Sequence, residues 1–236
     1  LLFTIYYIMK VIPNNRNEQM KRLNEIYQVL KKNDFGYLIE KNTFFKKFPF
    51  LRNRKRKKDE LYPDESIPIR MRKVFEELGP AYIKLGQMLS TRPDLVGVEI
   101  AEELESLRDN TPTTPFSEMK KVIETELQRP IDEVFSEIEE TPIGSASIGQ
   151  VYRAKLKGSN EEVAVKVQKP NSHEIIETDV KIMKFLADNI DKYLLQMKSF
   201  NLPAMASEFE RSIFKELDYM EEVMNMENLS KNFKNI

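Results

Sequence analysis

The sequence predicts a mostly helical α+β chain, and three observations carry that reading. Apolar residues recur at helical spacing through most of the 236 residues. The pattern switches to strand alternation over only one stretch, residues 148–168. The seven glycines are few enough that each one marks a boundary or a close approach. Hydrophobic residues at 41% and charged residues at 32% supply enough apolar surface for a core.

The elements follow in order. Residues 1–12 form an apolar run broken by Lys10, too short to span a bilayer at about 20 residues. It reads as the tail of an upstream segment, as translated non-coding sequence or as a packed helix. The first methionine is Met9, and Asn235-Ile236 follows a helical pattern with no stop signal, so a fragment is expected. Asn14 to Asn33 reads as a helix with Leu23, Ile26, Tyr27 and Leu30 on one face, and Gly36 is its expected cap. Phe44 to Lys58 interleaves phenylalanines with a basic run, which suits either a solvated linker or an anionic membrane surface.

From Ser66 to Phe135 the pattern is helical and punctuated by proline. Ile67, Met71, Val74, Phe75 and Leu78 make one stripe, ended by Gly79, and Pro80 opens the next helix at a position where its missing N–H costs nothing. One helix is expected after Pro93, with Leu104 and Leu107, and one after Pro115, with Met119, Val122, Ile123 and Leu127. A short helical turn over Pro130 to Phe135 ends this block. Strand alternation covers 148–157 and 161–168, joined by the turn residues Lys157 to Asn160. Helical spacing returns over 172–197 and 203–233, the second with Phe209, Ile213, Leu217, Met220 and Met224 on one side. The expected organisation is 1–60 (helix and basic-aromatic linker), 61–140 (helical extension) and 141–236 (sheet with its helices).

Several chemistries are excluded. No cysteine means no disulfide framework, thiolate metal site or cysteine nucleophile. The single histidine, His173, cannot form a two-histidine zinc site. The 37 basic and 38 acidic residues nearly cancel, so overall charge does not suggest nucleic acid.

The informative segment is Ile143-Gly144-Ser145-Ala146-Ser147-Ile148-Gly149-Gln150-Val151. A Walker A loop needs lysine and serine or threonine after its second glycine, and Gln150-Val151 stands there. A dinucleotide fingerprint needs a helix next, whereas Val151 to Leu156 alternates as a strand. A protein-kinase loop needs a hairpin, a valine two positions on and a strand lysine. Val151 and Val163-Ala164-Val165-Lys166 meet those needs. Small residues let backbone close over phosphates, and the lysine reaches their oxygens. The plainer alternative is an ordinary hairpin with a snorkelling lysine. Candidate glutamates for Lys166 lie in Lys215 to Glu222, where Asp218 and Glu222 share a helical face. Asp34-Phe35-Gly36 spells a kinase metal triplet but precedes the loop, so chance and helix capping explain it.

These residues resemble the AarF/UbiB family of atypical kinase-like proteins. Lys84-Leu85-Gly86-Gln87 matches its K-x-G-Q motif, with Ser90-Thr91-Arg92-Pro93-Asp94 following. Ser145 to Val151 resembles its small-residue loop, and Glu216-Leu217-Asp218 its E-x-D motif. The resemblance implies the opening part of a kinase-like N-lobe: a three-stranded sheet plus long helices, with a helical extension packed on it and the C-lobe missing. It implies Mg-ATP as cofactor, with Gly144, Ser145, Ala146, Ser147, Gly149, Val151, Ala164, Lys166 and Glu222 as the nucleotide set, Lys166 contacting the phosphates and pairing with Glu222. Lys84, Gly86, Gln87, Glu216 and Asp218 would form the family-motif network, with Lys84 and Gln87 projecting into the cleft. Relatives are tied to isoprenoid-quinone or prenyl-lipid metabolism at membranes, which implies a cytoplasmic protein peripheral to a membrane, with nucleotide, lipid or protein partners. A pseudokinase scaffold or a membrane-surface adaptor is the alternative. The chain departs from the family pattern at Gly144 and Ser145, where alanines are common. No Asp-x-x-x-x-Asn and no Asp-Phe-Gly follow Lys166, so no catalytic residue is assigned within these 236 residues.

Overall fold

Why helix α1 (Arg16–Lys32) stops where it does shows how local chemistry builds this chain. Asp34 takes the left-handed conformation (φ 60°), and the Phe35 N–H reaches back to the Leu30 carbonyl at 2.7 Å. The cap is therefore closed before Gly36, the residue expected to do this, which lies outside the described residues. Phe35 is buried beneath the Arg70 guanidinium, which also reaches the Asp34 carboxylate at 3.2 Å. Asp34 and Phe35 of the Asp-Phe-Gly triplet thus serve a helix end. This computed structural model describes residues 16–35, 65–108, 113–193 and 200–233. The expected basic-aromatic stretch Phe44 to Lys58 and the apolar run 1–12 lie outside them.

The chain divides into two compact units, one of residues up to 110 with 177–202, the other of 111–176 with 203 onward. The first is helical. Helix α2 (Ile67–Leu78) ends at Gly79, whose φ of 94° turns the chain so that Pro80 starts α3 (Pro80–Ser90). The single helix expected after Pro93 is two, α4 (Pro93–Val96) and α5 (Val98–Glu105), because Gly97 sits between them at φ 88°. A 3-10 turn over Ser106–Arg108 follows. Ile83, Leu104 and Leu107 form the core here, flanked by Phe75, Leu89 and Ile100. Arg22 of α1 grips Asp179 with two nitrogens, at 2.7 and 2.9 Å, and donates to the Leu78 carbonyl. The Asp179 side chain is fully buried, and its charge and hydrogen bonds hold the Arg22 guanidinium ionised against the cost of its own burial.

The second unit holds α6 (Phe116–Leu127), the short α7 (Ile131–Val134) and a mixed-length antiparallel sheet. Its strands are β1 (Phe135–Ile138), β2 (Gly144–Ser145), β3 (Gly149–Leu156) and β4 (Glu162–Gln168). The expected three-stranded sheet gains β1, which pairs with the far end of β3. Phe-Ser-Glu-Ile has too little apolar alternation to be read as a strand, and its pairing partner selects it. Gly158 (φ 99°) and Asn160 (φ 58°) turn the β3–β4 hairpin as expected.

Period-two alternation gives this sheet two different faces. Tyr152, Ala154 and Val167 point into a core with Met119 and Ile123 of α6, joined by Val163 and Val165. Val151, Ala164 and Lys166 lie on the other face, with Ala164 and Lys166 exposed. Helix α8 (Ser172–Tyr193) begins in this unit and continues into the other. The long last helix expected from the sequence is two, α9 (Leu202–Leu217) and α10 (Tyr219–Phe233), parted at Asp218. Phe209, Ile213 and Leu217 are buried as their spacing requires, whereas Met220 and Met224, beyond the break, are exposed. The resulting architecture is mostly helical α+β with an N-lobe-like sheet, and the described residues include no kinase C-lobe.

Candidate functional site

The small-residue loop is a tight hairpin between β2 and β3. Gly144 pairs with Val151 and Ser145 with Gln150, and the Ala146 N–H donates to the Gly149 carbonyl at 2.8 Å. Ser147 and Ile148, at the tip, are buried, and the Ile148 carbonyl accepts the Lys169 N–H at 2.9 Å. The base is held by Gln150, which is fully buried. Its amide exchanges hydrogen bonds with the Thr114 backbone in both directions and donates to the Tyr152 hydroxyl at 2.5 Å. Gln150, which rules out a Walker loop and closes the small-residue motif in the sequence, is thus the anchor of the hairpin.

Lys166 stands opposite Val151 in the β3–β4 register, so loop and lysine share the open face. Its ammonium reaches the Glu222 carboxylate at 2.5 Å. Of the acidic residues in Lys215 to Glu222, the one that reaches Lys166 is Glu222, the partner the resemblance implied. Both side chains remain accessible, 39% and 46% exposed, which limits such a pair to about 1 kcal/mol of stability. Stability is a poor explanation for bringing together residues 56 positions apart.

Asp218 makes that pairing geometrically possible. It does not share a helical face with Glu222, as the uninterrupted helix had suggested. It is the N-cap of α10: its carboxylate accepts the Met220 and Glu221 N–H groups at 3.0 and 3.3 Å. Ending α9 and starting α10 here aims Glu222 one turn later. Gln168 adds a second tie, donating to the Leu217 carbonyl at 2.5 Å. Glu216 sits half-buried in the last turn of α9.

Tyr219, absent from the sequence-derived set, lies at the centre of this arrangement. The Lys166 ammonium is 4.6 Å from its ring centroid. Its hydroxyl is buried, has no hydrogen-bond partner among the described residues, and occupies the place a Cβ on Gly149 would take. Burial, with Glu222 and Glu216 nearby, pushes the phenol up to about 12. The sequence signal was an aromatic residue three positions before Glu222. Behind Lys166, a cavity of about 510 Å³ runs between α6, the end of β4 and the start of α8, lined in part by Ile123, Phe135, Lys169 and Tyr219. Burial lowers the pKa of Lys169.

The K-x-G-Q residues belong to the helical unit. A Cβ on Gly86 would run into Leu107 and approach Phe75 to 2.7 Å, so this glycine permits close helix packing. The Gln87 amide donates to the Leu107 carbonyl at 3.1 Å, and Lys84 is half-buried on the same helix.

As to which groups the residues fit, a Cβ on Gly144 would meet nothing within 4 Å, so the loop entrance is open, with an accessible lysine on the far side of β3. That suits the phosphates of a nucleotide. Among the described residues no three Asp, Glu or His side chains gather as a metal site. No helix among them is long and apolar enough to cross a membrane.

Comparison with known proteins agrees with this geometry. The family described as "ABC1 atypical kinase-like domain" matches residues 106–236. "Probable protein kinase UbiB" of Tolumonas auensis is 34% identical over 224 residues, covering 92% of the chain and 40% of the relative. "Protein ACTIVITY OF BC1 COMPLEX KINASE 1, chloroplastic" of Arabidopsis thaliana is 38% identical over 174 residues, covering 72% of the chain and 26% of the relative. A further Arabidopsis protein, "Uncharacterized aarF domain-containing protein kinase At1g71810, chloroplastic", is 45% identical over 159 residues, 66% of the chain and 22% of the relative. The chain thus spans two fifths or less of the length of these relatives. Motif order, hairpin register, the Lys166–Glu222 pair and these matches agree: the chain belongs to the ABC1/UbiB family of atypical kinase-like proteins.

Proposed function

We propose that these residues supply the N-lobe side of an ATP site in a UbiB-type protein. The longer protein would hydrolyse ATP or transfer phosphoryl groups in isoprenoid-quinone or prenyl-lipid metabolism. The observation that carries the reading is the Lys166–Glu222 pair, half-exposed on the open sheet face beside the small-residue loop. Lys166 would hold phosphate oxygens, oriented by Glu222, while Gly144, Ser145 and Ala146 let backbone come close, the buried Ser147 and Gly149 support the loop, and Val151 and Ala164 border the base. Bound Mg-ATP would supply the transferable phosphoryl group. The carboxylates that clamp metal in kinases have no counterpart after Lys166 in these 236 residues, so this stretch on its own is expected to bind without turning over.

Lys84 and Gln87 of the K-x-G-Q motif, with Glu216 and Asp218, are proposed to restrict access to that site in the longer protein. A cytoplasmic position peripheral to an anionic membrane is supported by the basic-aromatic run Phe44 to Lys58, with prenyl lipid or a protein as partner.

The test is titration of the whole chain with a fluorescent ATP analogue and magnesium. Lys166→Ala should abolish saturable binding while moving stability by no more than about 1 kcal/mol. Equal binding by Lys166→Ala, or no binding by the wild type, would overturn the reading. In the longer protein, turnover at background both with and without Lys166 would favour a pseudokinase scaffold.

A further inference from the structure

Glycines in phosphate-binding loops are ordinarily explained by the ligand, yet at Gly149 the reason lies inside the protein. Its φ is not among the positive values, so backbone conformation does not require glycine there. Gly144, at the other end of the loop, faces open space. At 149 a Cβ would fall on the Tyr219 hydroxyl oxygen and would lie 2.9 Å from the Val167 carbonyl. The same phenol presents its ring face to the Lys166 ammonium, 4.6 Å from the centroid. Tyr219 and Glu222 are three apart on α10 and so share a face.

We infer that Tyr219 is a positioning residue that sets the height of the loop through Gly149 and the place of the Lys166 ammonium through its ring. Glycine at 149 serves the phenol first. This rests on the nucleotide-site reading for its purpose, though not for its geometry. Two features of the phenol support a spacing role. Its hydroxyl is buried with no hydrogen-bond partner among the described residues, an arrangement that costs stability and calls for some other reason to be kept. The ring also presents its π face to the same ammonium that Glu222 holds.

The experiment is a double-variant cycle in the whole chain, using Gly149→Ala, Tyr219→Phe and the pair together. Affinity for the fluorescent ATP analogue and the thermal midpoint are both read. Gly149→Ala should weaken binding about tenfold, Tyr219→Phe by less than about threefold, and the double variant should regain much of the loss. Recovery is partial because the Val167 carbonyl remains close to the new Cβ. A double variant as weak as the product of the single effects would overturn the inference and return Gly149 to the phosphates. If the wild type binds no nucleotide, the proposed function fails while the cycle still reads. A double variant more stable than Gly149→Ala supports the Tyr219–Gly149 fit, and additive midpoints overturn it. The lysine half has its own readout: ring-current displacement of the Lys166 side-chain resonances should persist in Tyr219→Phe and vanish in Tyr219→Leu. Unchanged resonances in Tyr219→Leu would overturn it.

Discussion

Two ion pairs of nearly equal length, one in each unit, behave as different devices. Arg22–Asp179 in the helical unit is bidentate, with the carboxylate fully buried and a backbone carbonyl sharing the guanidinium. Lys166–Glu222 in the sheet unit is a single contact with both partners open to solvent. Burial decides which does what. A buried pair cannot lose one member without stranding the other charge, whereas an exposed pair can exchange its partner for a ligand at little cost to the fold. The first joins α1 to a residue 157 positions away, and the second leaves an ammonium accessible on the open face.

The largest effect is expected from Asp179→Ala. It should lower unfolding free energy by about 3 kcal/mol, read by urea denaturation, because Arg22 stays largely buried and keeps only the half-exposed Glu25 carboxylate, at 3.2 Å, as counter-charge. A loss below 1 kcal/mol, the size for Lys166→Ala, would mean burial does not separate the two pairs. The glycines allow the same contrast. Gly86→Ala should destabilise by about 1 kcal/mol net, since overpacking against Leu107 and Phe75 exceeds the roughly 1 kcal/mol helix-propensity gain of alanine. Gly149→Ala should act chiefly on ligand binding.

The smallest effect concerns pH. The Tyr219 phenol is raised in the folded chain to about 12 from an ordinary 10.0, so its contribution is fully present below the ordinary value. It is lost as pH rises through about 12, because the unfolded chain releases that proton first. A difference titration of phenolate absorbance between wild type and Tyr219→Phe isolates this tyrosine from the nine in the chain. Titration near 10 would show that its hydroxyl is solvated.

Much of the site was legible because its signals are local. Val-Ala-Val-Lys alternates, so Lys166 had to point away from the valines that enter the core. Turn chemistry at Lys157 to Asn160 placed that strand beside β3. What escaped notice was non-local or a matter of competing local rules. Asp218 fits helical spacing as well as it fits an N-cap, and the bonds its carboxylate accepts from the Met220 and Glu221 N–H groups show that the helix breaks there. The β1 strand owes its existence to β3, and Gln150 finds its partner at Thr114, 36 residues earlier.

By itself, then, the sequence determined the α+β class, the helical and strand stretches, the hairpin and the face on which Lys166 lies. These follow from side-chain periodicity and turn chemistry over a few residues. Only packing of the whole chain decided that Asp218 ends one helix and caps the next, that Tyr219 stands beneath Gly149, and that Arg22 finds Asp179. Those choices depend on which surfaces become neighbours after the chain has packed, and excluded volume between residues far apart in sequence leaves no periodic mark along it.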